Sequence, residues 1–171
     1  MVGTESLTIK KLGLIGAMVL AAAIGYGTTA YALTSSHTIT FYPSPNPPAG
    51  GFFPECAKGL AQTSNSLTNK SFVRTQIFYQ PSATCNTALN RDAGWIGVYL
   101  LQIRVLSPGN NQICADSGWL YNGTVTYSFW GGYSIAGCGS GNYYTTGIHR
   151  YRPAGQGQVT SAAHSTGLVA L

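Results

Sequence analysis

The residues able to do chemistry are few. His37, His149 and His164 are the only histidines, and they form neither H-x-H nor H-x-x-x-H. Their spacing marks no metal site, and the four cysteines contain no C-x-x-C pair for zinc. No metal or cofactor is implied. Beyond Ala32 the carboxylates are Glu55, Asp92 and Asp116, widely separated, whereas general acid and base work usually needs two positioned carboxylates or a tuned histidine. Asp92 and Asp116 sit in turn-like Asn-Arg-Asp-Ala-Gly and Ala-Asp-Ser-Gly contexts, which suits local caps. The densest cluster is His149-Arg150-Tyr151-Arg152. On a strand, alternation puts Arg150 and Arg152 on one face and His149 and Tyr151 on the other, so the arginine face is able to hold an anion. Tyr133, Tyr143 and Tyr144 lie beside glycine-rich turns, where aromatic faces next to short polar side chains suit sugar rings or protein partners. The candidate binding residues are therefore Tyr133, Tyr143, Tyr144, His149, Arg150 and Arg152. Trp119 and Trp130 are expected to fill the core.

A catalytic alternative rests on two fragments. Asp116-Ser117-Gly118 resembles the nucleophile loop of chymotrypsin-like proteases, and Ser161-Ala162-Ala163-His164-Ser165 resembles their histidine loop. In that family the histidine precedes the serine, and here His164 follows Ser117. Triads do recur in other chain orders, so the reading requires Ser117, His164 and Asp92 to meet in space.

These side chains need elements to position them. The chain has 171 residues, 44% hydrophobic and 8% charged, with a net charge of +5, which excludes a highly charged disordered chain. The absence of long Glu/Lys/Leu-rich segments excludes a helical bundle. Lys10-Lys11, the apolar run Leu12 to Ile24 and Ala30-Tyr31-Ala32 have the layout of a cleaved signal peptide over residues 1–32, and the run is shorter than the roughly 20 residues a bilayer needs. Membrane contact is expected only through that segment before cleavage. Residues 33–51 read as an arm rich in proline and glycine, although Thr38 to Tyr42 has the composition of a strand.

Residues 52–171 read as a β domain. Ser71 to Tyr79 alternates, with Val73, Ile77 and Tyr79 expected to face inward. Trp95 to Leu106 is apolar on both faces, as in a central strand, and turns at Ser107-Pro108-Gly109-Asn110-Asn111 into a return over Gln112 to Ala115. Thr124 to Trp130, ended by Gly131-Gly132, Tyr143 to Tyr151 and Val159 to Ala163 complete the strands; Ala57 to Leu67 is a weak helix candidate. The expected fold is all-β, a small antiparallel β-sandwich or barrel. Cys56, Cys85, Cys114 and Cys138 allow three pairings. The sequential one, Cys56 with Cys85 and Cys114 with Cys138, is favoured because each pair closes a loop of roughly 25 to 30 residues, adding about 3 kcal/mol on a loop-entropy basis.

The run Cys114-Ala115-Asp116-Ser117-Gly118-Trp119-Leu120-Tyr121-Asn122, followed by Cys138-Gly139-Ser140-Gly141-Asn142-Tyr143-Tyr144 and Gly147, resembles a pattern in small secreted proteins of actinobacteria. The resemblance covers Ile113 to about Tyr151. It implies export and a Cys114 to Cys138 bridge, and no activity. The sequence reading is a secreted, extracellular or wall-associated, non-catalytic binding protein. Its partner class is an anionic cell-wall polymer or extracellular glycan, with no motif for specific nucleic-acid recognition. A small secreted hydrolase and a secreted toxin or protease-inhibitor-like protein are the alternatives.

Overall fold

The structure of the chain, a computed structural model, describes residues 33–43, 55–79, 85–153 and 160–171. Residues 1–32, read above as a signal peptide, and the proline-rich stretch 44–51 lie outside these residues. The described chain is all-β. Its strands are β1 (Thr34–Phe41), β2 (Glu55–Ser64), β3 (Ser71–Tyr79), β4 (Thr87–Ala88), β5 (Ile96–Ser107), β6 (Asn110–Tyr121), β7 (Ser128–Tyr133), β8 (Asn142–Tyr151), β9 (Thr160–Ser165) and β10 (Val169–Ala170). They form two antiparallel sheets. In the first, β1, β2 and β3 lie side by side, and β7 and β4 share the far edge of β3. In the second the order is β6, β5, β8, and β9 and β10 share the far edge of β8. Strands β2 and β3 pack on β8, and β3 also on β5, which makes a sandwich.

The strand patterns explain the packing. On β8, Tyr143, Thr145, Gly147, His149 and Tyr151 are buried while the residues between them are half-buried. On β3, Ser71, Val73, Thr75 and Ile77 face inward, but Tyr79, expected inward, is 44% exposed at the last pairing of the strand, opposite Glu55 and Thr87. One end of the interior is apolar, with Phe41, Ala57, Ile77, Ile96 and Tyr151 in one cluster and Val73, Val98 and Leu100 in another. A chain of hydroxyls bridges the sheets elsewhere: Thr63 Oγ1 donates to Thr145 Oγ1 at 2.8 Å, and Thr145 Oγ1 donates to Ser71 Oγ at 2.9 Å. Such buried hydroxyls are tolerated because they satisfy one another.

Several sequence expectations change. Thr34–Phe41 is an edge strand paired along its whole length with β2, so the sheet begins at Thr34 and not after the proline-rich stretch. Ala57 to Leu67 is not a helix: residues 57–64 belong to β2, where small Ala57, Gly59 and Ala61 face the second sheet. A methyl group on Gly59 would stand 2.5 Å from the His149 ring, so close sheet approach, and not strand propensity, selects these residues. Gly131-Gly132 does not end a strand but lies inside β7, where a side chain at Gly132 would meet Ser71 O at 2.8 Å. Pro108-Gly109 makes a tight turn with Gly109 at φ +79°, and the return strand β6 is far longer than Gln112 to Ala115. Asp116-Ser117-Gly118 is not a turn between strands but a bulge within β6. Tyr99 pairs with Trp119 and Leu101 with Asp116, leaving Ser117 and Gly118 opposite Leu100, with Gly118 at φ +59°.

Both disulfides follow the sequential pairing. Cys56–Cys85 ties β2 to the segment before β4, and Cys114–Cys138 ties β6 to the loop before β8. Two bridges suit an oxidising, extracellular environment. Asn122 locks the corner after β6: its Oδ1 accepts from Ile96 N at 2.9 Å, and its Nδ2 donates to Asp92 O at 2.7 Å and Thr124 O at 3.0 Å. The residue is 2% exposed, so Asn122-Gly123-Thr124, which matches the acceptor tripeptide for N-glycosylation, serves here as a structural corner. Asn122→Ala removes these bonds, the one to Ile96 N among them, and is expected to cost about 2 kcal/mol, read as a lower urea midpoint at unchanged slope.

Candidate functional site

The outer face of the second sheet gathers aromatic and basic side chains. Across β8, β5 and β6, the register aligns Arg150, Gly97 and Tyr121 in one row and Ile148, Tyr99 and Trp119 in the next. Gly97 has no side chain to lift Tyr121: a Cβ there would sit 3.0 Å from the tyrosine ring. Tyr121 therefore lies over the strand and against Arg150, whose Nη1 donates to the Tyr121 hydroxyl at 3.2 Å. The Arg150 guanidinium stacks 4.1 Å above the Trp119 ring, and Trp119 lies nearly parallel to Tyr121 with ring centres 6.2 Å apart. Tyr99 meets Trp119 edge-on at 5.7 Å.

At the end of this face Arg152 N donates to Trp95 O at 3.0 Å, extending the β5–β8 ladder by one step. That step places the Arg152 guanidinium 5.6 Å from the Trp95 ring centre. Gly94, Trp95, Tyr121, Arg150 and Arg152 line an open cleft of about 320 Å³. Among the described residues neither arginine makes an ion pair; the one that forms joins Arg91 to Glu55 elsewhere. Arg150 Nε is buried and has no protein partner. The site is thus a cationic cleft walled by indole and phenol rings.

Asp116 marks the other side of the aromatic row. Tyr99 Oη donates to its Oδ2 at 2.6 Å and Gly118 N to its Oδ1 at 2.8 Å. These two bonds, the tyrosine one first, hold the Asp116 carboxyl below its ordinary range, and the same contact raises the Tyr99 hydroxyl. The carboxylate is held as an orienting group for Tyr99.

The sequence-derived residues divide. Arg150 and Arg152 meet in the cleft. Tyr144 shares their face but lies toward the opposite end, where Asn111 Nδ2 donates to its hydroxyl at 3.0 Å. Tyr143 is not a surface residue: it is fully buried, and its hydroxyl donates to Gly139 O. His149 is likewise inside, fully buried, because strand alternation sends it opposite to Arg150. Tyr133 belongs to the first sheet and packs half-buried on Val73, Val98 and Leu100, which, with Asp116 nearby, raises its hydroxyl. Trp119 and Trp130 are not core residues. Trp119 is half-buried beside the cleft, beneath the Arg150 guanidinium, and Trp130 is 55% exposed and stacked on Phe72 at 5.6 Å, on the first sheet. Trp95, Tyr99, Trp119 and Tyr121 join the site although the sequence expectation does not include them; the alternation of Trp119 and Tyr121 along one strand is the signal that puts them on one face.

The triad does not assemble. Ser117 Oγ accepts from Leu100 N at 2.8 Å and donates to Gly118 O at 2.7 Å, so it serves the bulge. His164 is on β9, and β6 and β9 stand at opposite edges of the second sheet. Compared with protein-family models, curated proteins and solved structures, the chain shows no match.

Proposed function

We propose that this is an exported, non-catalytic binding protein that takes an anionic glycan or cell-wall polymer on the outer face of its second sheet. The observation that carries the reading is the cleft itself: Arg150 and Arg152, without carboxylate partners, framed by Trp95 and Tyr121 and backed by Trp119. Guanidinium groups supply charge-assisted hydrogen bonds to phosphate or carboxylate. Indole and phenol rings supply flat contact area for sugar rings beside them. The strands beneath hold the platform rigid, which limits the ordering cost of binding.

Indole fluorescence of the purified protein tests this, because Trp95 lines the cleft and Trp119 stacks with its Arg150. A polyanionic glycan is expected to change the emission saturably, and its neutral counterpart is expected to change it far less. Arg150→Ala removes both the charge and the stacking on Trp119, and should weaken the anionic ligand about ten-fold or more. Equal response to charged and neutral polymers, or unchanged affinity in Arg150→Ala, would refute the assignment.

A further inference from the structure

The three histidines, separated in sequence, form a row at one edge of the sandwich. The β8–β9 register pairs Gly147 with His164, which brings His164 beside His149. Strand β1 packs against β9 across the two sheets and carries His37. The ring centres of His37 and His164 lie 4.8 Å apart, as do those of His149 and His164. His37 is exposed and His149 is fully buried, so the row runs from solvent into the core.

The hydrogen bonds fix which nitrogens are free. Thr75 Oγ1 donates its single proton to Gly97 O at 3.0 Å, so toward His149 Nδ1, also at 3.0 Å, it accepts. His149 therefore carries its proton on Nδ1 and a lone pair on Nε2. His37 Nδ1 faces Ser165 O at 3.2 Å, and a carbonyl only accepts, so its Nε2 also holds a lone pair. His149 Nε2 is buried with no protein partner, and so are both nitrogens of His164. His149 Nε2 lies 3.0 Å from where a Cβ on Gly147 would stand, the residue paired with His164. The row thus contains more buried lone pairs than protons to share among them.

We propose that the solvent end of this row binds one divalent transition-metal ion of the zinc or copper class between His37 and His164. A pair of imidazoles bound at about 2.0–2.1 Å around a tetrahedral or square position has ring centres about 4.5–5 Å apart, the spacing found here. The His37 Nδ1–H group, anchored on Ser165 O, is the outer support that metal-bound histidines usually have. Among the described residues no three ligand side chains converge on one point before binding. The site is accordingly a pair, His164 with the exposed His37 on the solvent side, where water completes the coordination; the buried His149 ring, packed between Gly59 and Gly147, backs it.

The test uses tag-free protein, treated with a chelator and then dialysed. Titration with zinc sulfate in a calorimeter is expected to show one saturable site, and zinc to raise the melting temperature. His37→Ala, on an exposed edge strand, and His164→Ala should each weaken zinc about ten-fold or more. With one equivalent of Cu(II), the spin-resonance spectrum should show coupling to at least two imidazole nitrogens. No saturable zinc binding in the native chain would overturn the proposal, and so would binding left unchanged in either variant. Neither result bears on the outer-face cleft, which shares none of these residues.

Discussion

Lowering the pH of the chelator-treated protein from 7 to 4 is expected to destabilise it by about 4 kcal/mol, most of it through His149. Burial first, and then the neighbouring His164, holds the His149 imidazolium form down to about 3, and burial followed by His37 holds His164 to about 4. An unfolded chain takes up these protons near the ordinary histidine value of about 6.5. Below that pH the unfolded state binds protons that the folded state refuses, so stability falls as pH falls. Above about 6.5 both states are neutral there and the pair contributes no slope. From about 6.5 to 4, His149 accounts for about 3 kcal/mol, and His164, half-exposed, for about 1 after solvent screening. For a domain of ordinary stability this is a large fraction, on the order of 10 °C in melting temperature. Urea unfolding at a series of pH values measures it. His149→Gln retains a group able to face Thr75 and should flatten the profile, while an unchanged profile would place the acid response elsewhere.

Gly59→Ala carries the second large effect. Its new methyl group would lie 2.5–2.6 Å from three ring atoms of His149, which is fully buried and held by Thr75. Shifting the ring away from β2 would strain that bond, so overpacking should cost about 3 kcal/mol. In His149→Ala the ring is gone, and adding Gly59→Ala should then cost far less. A double-mutant cycle by urea unfolding reads this coupling directly. Additive effects would mean that β2 and β8 do not meet at this pair.

How much of this was legible in the sequence varied with the physics involved. β3 and β8 were readable because alternation is a local signal, and Tyr143 to Tyr151 matches its strand to within a residue. The disulfide pairing was readable from loop lengths. β2 was not, because Ala57, Gly59 and Ala61 are poor strand formers chosen by the sheet opposite. The Asp116-Ser117-Gly118 bulge has the composition of a turn, and only its pairing with Leu100 tells the two apart.

The site followed the same divide. Alternation assigns faces, which puts Arg150 and Arg152 together, and the same rule places His149 on the opposite, inner side. Trp119 was assigned to the core because large aromatics usually fill it, but β6 is the edge strand of a sheet whose outer face no other described strand covers. The histidine row was invisible, since it depends on the Gly147–His164 register and on β1 meeting β9 across the sandwich. No spacing rule along one chain segment encodes either contact.

Cosedimentation with cell-wall sacculi bearing anionic polymer tests the central claim most directly. The protein should pellet at low salt and release at high salt, since exposed charges are screened as the Debye length shrinks from about 10 Å at 0.1 M to about 3 Å at 1 M. The Arg150→Ala/Arg152→Ala double variant should stay in solution. Native protein left in the supernatant at both salt concentrations, or a double variant that pellets as well as the native chain, would contradict a wall-binding cleft on this face.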